Sequence, residues 1–543
     1  MKKLLLTIFL FFISIQLFSQ NNIFTHQDTL RGSITKERIW WDLKQYDLNI
    51  KVNPEKKSLS GKNSIKYKVL ESYQIMQIDL QKPMKITKVI QNGLKLDFKK
   101  DGYSYLIQLK NKQLKGDINE ITVFFKGKPT IAINPPWDGG LTWDKDSNGL
   151  DFIATSCQGD GASLWWPCKD HMYDEPESMA INITTPSHLI NVSNGRLKNV
   201  TDNNDNTKTY HWYVENPINN YGVNMNIADY VHFSEQYEGE NGKLDCDYYV
   251  LKDNLEKAKN HFKEVPKMLE AFEYWFGPYP FYEDSYKLVE VPYLGMEHQS
   301  SVTYGNQYQN GYLGNDLSDT GWGLKFDFII IHESGHEWFA NSITYKDIAD
   351  MWIHESFTAY SENLFLDYHY GETASSEYVI GTRQSIQNDR PIIGNYNVNS
   401  AGSGDMYYKG ANMLHTLRQL LEDDTKWREI LRGLNKEFYH QTVTTEQIEN
   451  YLSKHTKIDL STFFNQYLRD VRIPTLEYKI SDNKLIFRWI HIVDNFDMPI
   501  KVIIDYSEKW IFPTKEWKEL KVDSSIKGFK IDEKFYVESK KLN

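Results

Sequence analysis

Tyr46, Leu48, Ile50 and Val52 alternate one for one with Asp47, Asn49, Lys51 and Asn53, the period of a strand with one buried face. Asn53-Pro54 then opens a turn. Ile65, Tyr67 and Val69 repeat the alternation, and similar short runs broken by Gly, Asn and Asp continue to about residue 235. This stretch predicts an antiparallel β domain. From about residue 250 the period changes: Leu255, Ala258, Phe262, Val265, Leu269, Phe272 and Phe276 recur at helical spacing until Gly277-Pro278 stops them. A strand-like run follows from Tyr286 to Val291. Helices are then predicted to end at Asn341, to span Trp352 to about Tyr370, and to span Lys409 to about Leu421. Alternation returns after Ile473-Pro474, in Leu476, Tyr478 and Ile480, then Leu485, Phe487 and Trp489, then Met498, Ile500, Val502 and Ile504. The pattern predicts a multidomain α+β chain with an N-terminal β domain (21–238), a mainly helical domain (239–471) and a small C-terminal β-sandwich (472–543).

Lys2 and Lys3 precede an apolar run from Leu4 to Phe18, and small or polar Ser19, Gln20 and Asn21 follow it. This predicts an export signal over residues 1–20, cut near Ser19 to Gln20, with an uncleaved anchor as the alternative. No later segment approaches a membrane span, so the mature chain is expected in the periplasm or outside the cell. Composition narrows the function further. The 73 acidic residues outnumber the 62 Lys and Arg, for a formal charge of −11, and no basic block follows residue 3. That excludes the clustered cations a nucleic acid partner requires. The three cysteines, Cys157, Cys168 and Cys246, allow at most one internal bridge. Cys157 and Cys168 either pair or remain buried thiols, and the absence of CxxC excludes a cysteine zinc site.

The chemistry lies in the helical part. His332-Glu333-Ser334-Gly335-His336 is an H-E-x-x-H motif. Its histidines, four residues apart on one helix face, can share a zinc ion, while Glu333 is placed to act as general base on a water. A third ligand is expected from Glu355, on the next predicted helix. Two histidines and a carboxylate leave a fourth position open, as catalytic zinc requires. The set predicts one Zn²⁺ and hydrolysis of a peptide bond.

These residues, with Trp352-Ile353-His354-Glu355-Ser356-Phe357, resemble the aminopeptidase N family, the M-one branch of the gluzincin metallopeptidases, which also contains leukotriene hydrolase. That block is similar to the family's W-L-N-E-G-F, with His354 where the family has Asn. The resemblance implies a thermolysin-like catalytic domain behind a β domain. Leu294-Gly295-Met296-Glu297-His298 resembles the family's G-x-M-E-N motif and departs from it at both edges. Glu297 then corresponds to the residue that binds the substrate's α-ammonium group, with Gly295 and Met296 in the substrate-site loop. Gln158, within Thr155–Gly161, matches a second contact to that amine. The neighbouring Trp165 and Trp166 read equally as core residues. Met406-Tyr407-Tyr408-Lys409-Gly410 resembles the segment whose tyrosine stabilises the tetrahedral intermediate, and the register assigns that role to Tyr407.

The resemblance thus implies a zinc aminopeptidase acting on peptides with a free N-terminus. A metallo-endopeptidase, an epoxide hydrolase and a secreted peptide-binding protein with a residual zinc site are the alternatives. Larger relatives enclose the site with a long helical C-terminal domain. The small β segment here leads to the expectation of a more open cleft that accepts longer peptides.

Overall fold

The computed structural model describes residues 24–522 and 525–543, so the expected leader lies outside the described residues. The N-terminal unit is built on a ten-stranded sheet with Trp41–Asn53 and Ser58–Val69 near its middle. Tyr46, Leu48, Ile50 and Val52 all face the core, as their alternation demands. Its pairings are antiparallel apart from the parallel match of Trp41–Asn53 with Ser178–Pro186. A four-stranded sheet lies beside it, and its strand Asp151–Ser156 leads directly into the loop that carries Gln158.

The hairpin of Tyr230–Gly239 and Gly242–Leu251 straddles the expected break at 238/239. It pairs with Tyr286–Glu290 and joins the five-stranded sheet of the central unit. The structural break therefore falls ahead of Tyr230. Alternation reveals a strand but not which sheet it will join.

In the central unit, Trp352–Tyr370 forms one helix and Tyr408–Leu421 another. The expected long helix from Leu255 is two helices, Leu255–His261 and Glu264–Phe276. The helix predicted to end at Asn341 stops at Gly335, and His336 caps it. Beyond Gly335 the chain leaves the helical ladder, with the Trp338 and Phe339 amides both on the Gly335 carbonyl and Ala340 at φ 153°, and the Phe339 carbonyl there accepts from the His336 ring at 2.9 Å.

C-terminal to Pro474, a four-stranded and a three-stranded sheet form the β-rich end. Leu485, Trp489, Ile500 and Val502 continue the apolar core of the helices without a break, whereas the N-terminal unit has a separate core. Trp165 and Trp166 are fully buried in that second core. Cys157 and Cys168 are buried free thiols, which settles the open choice against a bridge.

Candidate active site

The helix Phe328–Gly335 begins where the Asp327 carboxylate accepts the amides of Ile329 (2.9 Å) and Ile330 (3.2 Å), a cap of the usual kind. Phe328 to Ile331 bury one turn of apolar surface, and His332, Glu333 and His336 emerge beyond it at the floor of a cleft of about 480 Å³. The next long helix presents Glu355 to the same point. Ligating atoms of His332, His336 and Glu355 all lie within 4.8 Å of one another. Glu355 Oε2 is 3.4 Å from His336 Nε2 and 3.8 Å from His332 Nε2.

Whether these groups suit a metal is decided by their outer contacts. His332 Nδ1 pairs with Glu362 Oε1 at 2.8 Å, and His336 Nδ1 donates to the Phe339 carbonyl. Each ring thus carries its proton on Nδ1 and turns the Nε2 lone pair towards Glu355. Glu355 Oε2 is buried and has no hydrogen-bond donor. Two lone pairs and an unpartnered anion converging on one point fit a cation. Tetrahedral zinc with bonds of about 2.0–2.1 Å sets its ligands about 3.3–3.4 Å apart, close to the separations found.

Glu333 projects between this cluster and the strand Gly295–Met296. Burial pushes its carboxyl up to about 7, against the pull of His332. Gly295 is where that strand touches the motif helix: a Cβ there would meet Ile329 Cγ2 at 2.6 Å and Glu333 Cγ at 3.3 Å. Tyr407 precedes the helix Tyr408–Leu421, and its ring stacks on His332 with centroids 5.9 Å apart. Burial, then the charges of Glu355, Glu297 and Glu333, push its phenol far up, so it stays a proton donor. Gly410 brings this helix onto the Glu355 helix, since a Cβ there would fall 1.9 Å from Ser356 Oγ.

Glu297 is only 1% exposed, so it is not a surface carboxylate. The Gln158 amide donates to Glu297 Oε1 at 2.6 Å and to Glu355 Oε1 at 2.9 Å. One N–H donor thus sits between two carboxylates at the end of the cleft. His298 turns away, buried beside Thr303.

Five further residues were not singled out from sequence. Glu362 and Thr358, which hold the two metal-facing histidines, follow Glu355 by seven and three residues on one helix face, a spacing that could have revealed them. Tyr221 donates to Glu297 Oε1 at 3.1 Å, and the His354 ring lies beside it, fixed by the Tyr345 amide at 2.8 Å. Because that amide donates to Nε2, His354 carries its proton on Nδ1, facing Tyr221. Arg31 donates to the Gly159 carbonyl at 2.6 Å, and Asn399 donates to the same oxygen at 3.0 Å. Tyr221, Arg31 and Asn399 carry no local signal.

Comparison with known proteins agrees with this picture. The model of the peptidase M1 N-terminal domain matches residues 43–221, and that of the peptidase family M1 domain matches 260–467. Probable aminopeptidase 1 of Sulfurisphaera tokodaii is 22% identical over 81% of this chain and 57% of its own length. Leukotriene A-4 hydrolase of Xenopus laevis is 23% identical over 77% and 69%. Endoplasmic reticulum aminopeptidase 1 of Mus musculus matches over 54% of this chain and 32% of its own length, so the chain spans well short of the full length of several relatives. Among solved structures, a mutant M1 zinc metallopeptidase of Deinococcus radiodurans bound to a Tyr-Ser-Ala substrate superposes with a TM-score of 0.66. It is 18% identical over 80% of this chain and 95% of that one, a likeness of fold. With two models of one family covering both the β unit and the unit that holds the cleft, the chain belongs to peptidase family M1.

Proposed function

We propose that the protein is a zinc aminopeptidase that hydrolyses the first peptide bond of peptides with a free N-terminus. One observation carries the reading. An N–H donor of half-buried Gln158 is flanked by Glu297 and by Glu355, which also faces the two histidines. A substrate ammonium would satisfy the same two carboxylates. It would therefore be held one short, fixed distance from the metal cluster.

His332, His336 and Glu355 would hold a single zinc ion, which supplies Lewis acidity to the water and the scissile carbonyl. Glu333, poised near neutrality, takes the proton of the attacking water and passes it to the leaving amine. Tyr407 donates to the developing oxyanion. Glu297 holds the ammonium group, and Gln158 must turn its amide oxygen towards it to join in. Pro136, Trp137, Met296, Ile348 and Met351 give the cleft apolar walls, and its carboxylates all lie at the reaction centre. An acidic first residue is therefore disfavoured and an apolar one accepted. The pattern of residues 2–20 further supports an exported chain, testable by N-terminal sequencing of protein recovered outside the cytoplasm.

The primary test is mass spectrometry of one peptide in two forms, free and N-acetylated, incubated with the zinc-loaded protein and with Glu333→Gln. Stepwise shortening of the free peptide alone, absent in the variant, is expected. Internal cleavage of both forms would make the protein an endopeptidase, and no cleavage of either would favour a peptide-binding role.

A further inference from the structure

A second cavity, of about 620 Å³, adjoins the catalytic cleft, and Trp137 and Leu294 line both. Its other walls include Asn254, Lys257, Tyr293, Gln307 and Leu313. Trp137, on the partition, is 64% exposed, a large apolar surface beside the route between the two spaces.

The strand Gly295–Met296 sets that route. It is the last strand of its sheet and pairs antiparallel, Gly295 with Tyr304 and Met296 with Thr303. Leu294 O accepts from Gly305 N at 2.7 Å, so positions 294 and 305 form a bonded pair. Antiparallel pairing alternates, so the N–H and C=O of Gly295 point away from the sheet, into the cleft. A peptide with its amine at Glu297 can add there as a further antiparallel strand. It then runs back past Met296 and Gly295 to Leu294. Three positions span about 10 Å, so residues beyond the third or fourth pass Trp137 into the second cavity.

Charge indicates what they meet. The two charged side chains on the cavity wall are Glu290 and Lys257. Glu290 is buried, and its oxygens are taken by the Leu251 amide (2.7 Å) and Asn254 Nδ2 (2.6 Å). Lys257 is exposed, contacts only Asn254 Oδ1 at 3.4 Å, and enters no ion pair among the described residues. The Lys257 ammonium lies within reach of the Glu290 charge, yet its donors remain free for a ligand.

We propose that this cavity is a distal subsite for the C-terminal end of short peptides, in which Lys257 receives the terminal carboxylate. The inference rests on the aminopeptidase reading and adds a preferred substrate length of about four to six residues. The test is kcat/KM of the zinc-loaded full chain on nested peptides of two to seven residues sharing one N-terminus. Each is supplied as free acid and as C-terminal amide, to wild type and to Lys257→Gln. The acid is expected to exceed the amide by about two- to fivefold, the scale of one exposed charge pair, only from about four residues upwards. Lys257→Gln abolishes that difference and leaves dipeptide turnover and Tm unchanged. Equal rates for acid and amide at every length would overturn the subsite, as would an equal slowing of dipeptides by the variant. Failure to cleave even the dipeptides would refute the aminopeptidase reading itself, and the subsite with it.

Discussion

Replacing Glu297 with Gln keeps the shape of the amine anchor and removes its charge. In the wild type the carboxylate is buried and accepts from Gln158 at 2.6 Å and Tyr221 at 3.1 Å. Both donors can still bond to an amide oxygen, so the loop should hold its place. The loss falls on the substrate, whose ammonium group exchanges a charge-assisted hydrogen bond for a neutral acceptor. Hydrogen bonds to charged groups are worth about 1.5–3 kcal/mol, so kcat/KM for free peptides should fall about 10- to 150-fold. An N-acetylated peptide has no such bond to lose. A cycle of four rate constants, free and acetylated peptide against wild type and Glu297→Gln, isolates the coupling. Stability should move the other way. Burial holds the Glu297 pKa above its ordinary value, which shows that the folded protein resists its charge, so the variant should melt at the same temperature or higher. Equal losses on free and acetylated substrates, or a clear drop in Tm, would refute the assignment of Glu297 to the amine.

Tyr407→Phe removes one oxyanion donor and should lower kcat about 10²- to 10³-fold with little change in KM, read from steady-state kinetics. Gly410→Ala should cost about 1–3 kcal/mol in denaturant unfolding, because the new Cβ would sit 1.9 Å from Ser356 Oγ between two packed helices. Activity should fall with it, since Tyr407 stands directly before the same helix. Glu175, whose carboxyl burial pushes up to about 8, makes stability depend on pH. Its folded pKa lies above its unfolded value, so its contribution is fully present below about pH 4.5 and is lost as pH rises through about 8. Glu175→Gln should therefore stabilise the protein by roughly 2–4 kcal/mol at pH 9 and leave it unchanged at pH 4.5 in paired thermal melts.

What could be read from the sequence was local. The helix Trp352–Tyr370 was legible end to end because Gly371 stops it, and His332, Glu333 and His336 were legible because one helical turn brings them together. Glu362 was within reach by the same periodicity. The helix ending at Gly335 was not, because the chain leaves the ladder at His336 to Asn341, residues whose apolar pattern alone continues the helix. Of the Tyr230–Leu251 hairpin only the first half fell in the stretch read as β, and it was assigned to the N-terminal unit, since the strand that draws the hairpin into the central sheet lies beyond two intervening helices. The thiol state of Cys157 and Cys168 depended on side-chain orientation that spacing cannot report.

The same distinction runs through the cleft. A metal cluster needs only ligands on two adjoining helices, and both helices are coded within some forty residues. An exopeptidase must also measure the distance from a free terminus to the scissile bond, and that ruler is assembled from distant parts of the chain. Glu297 comes from the turn just after the strand Gly295–Met296, Gln158 and Tyr221 from the β unit, and Asn341 Nδ2 holds the Glu297 carbonyl at 2.9 Å. Arg31, near the start of the described chain, and Asn399, in the loop ahead of the helix Tyr408–Leu421, meet on the Gly159 carbonyl, one residue from Gln158. Docking of the β unit therefore adds little to the metal-facing residues and a great deal to the placement of Gln158. It follows that damage to the Arg31 contact should loosen selection for the free N-terminus before it touches the metal-holding residues.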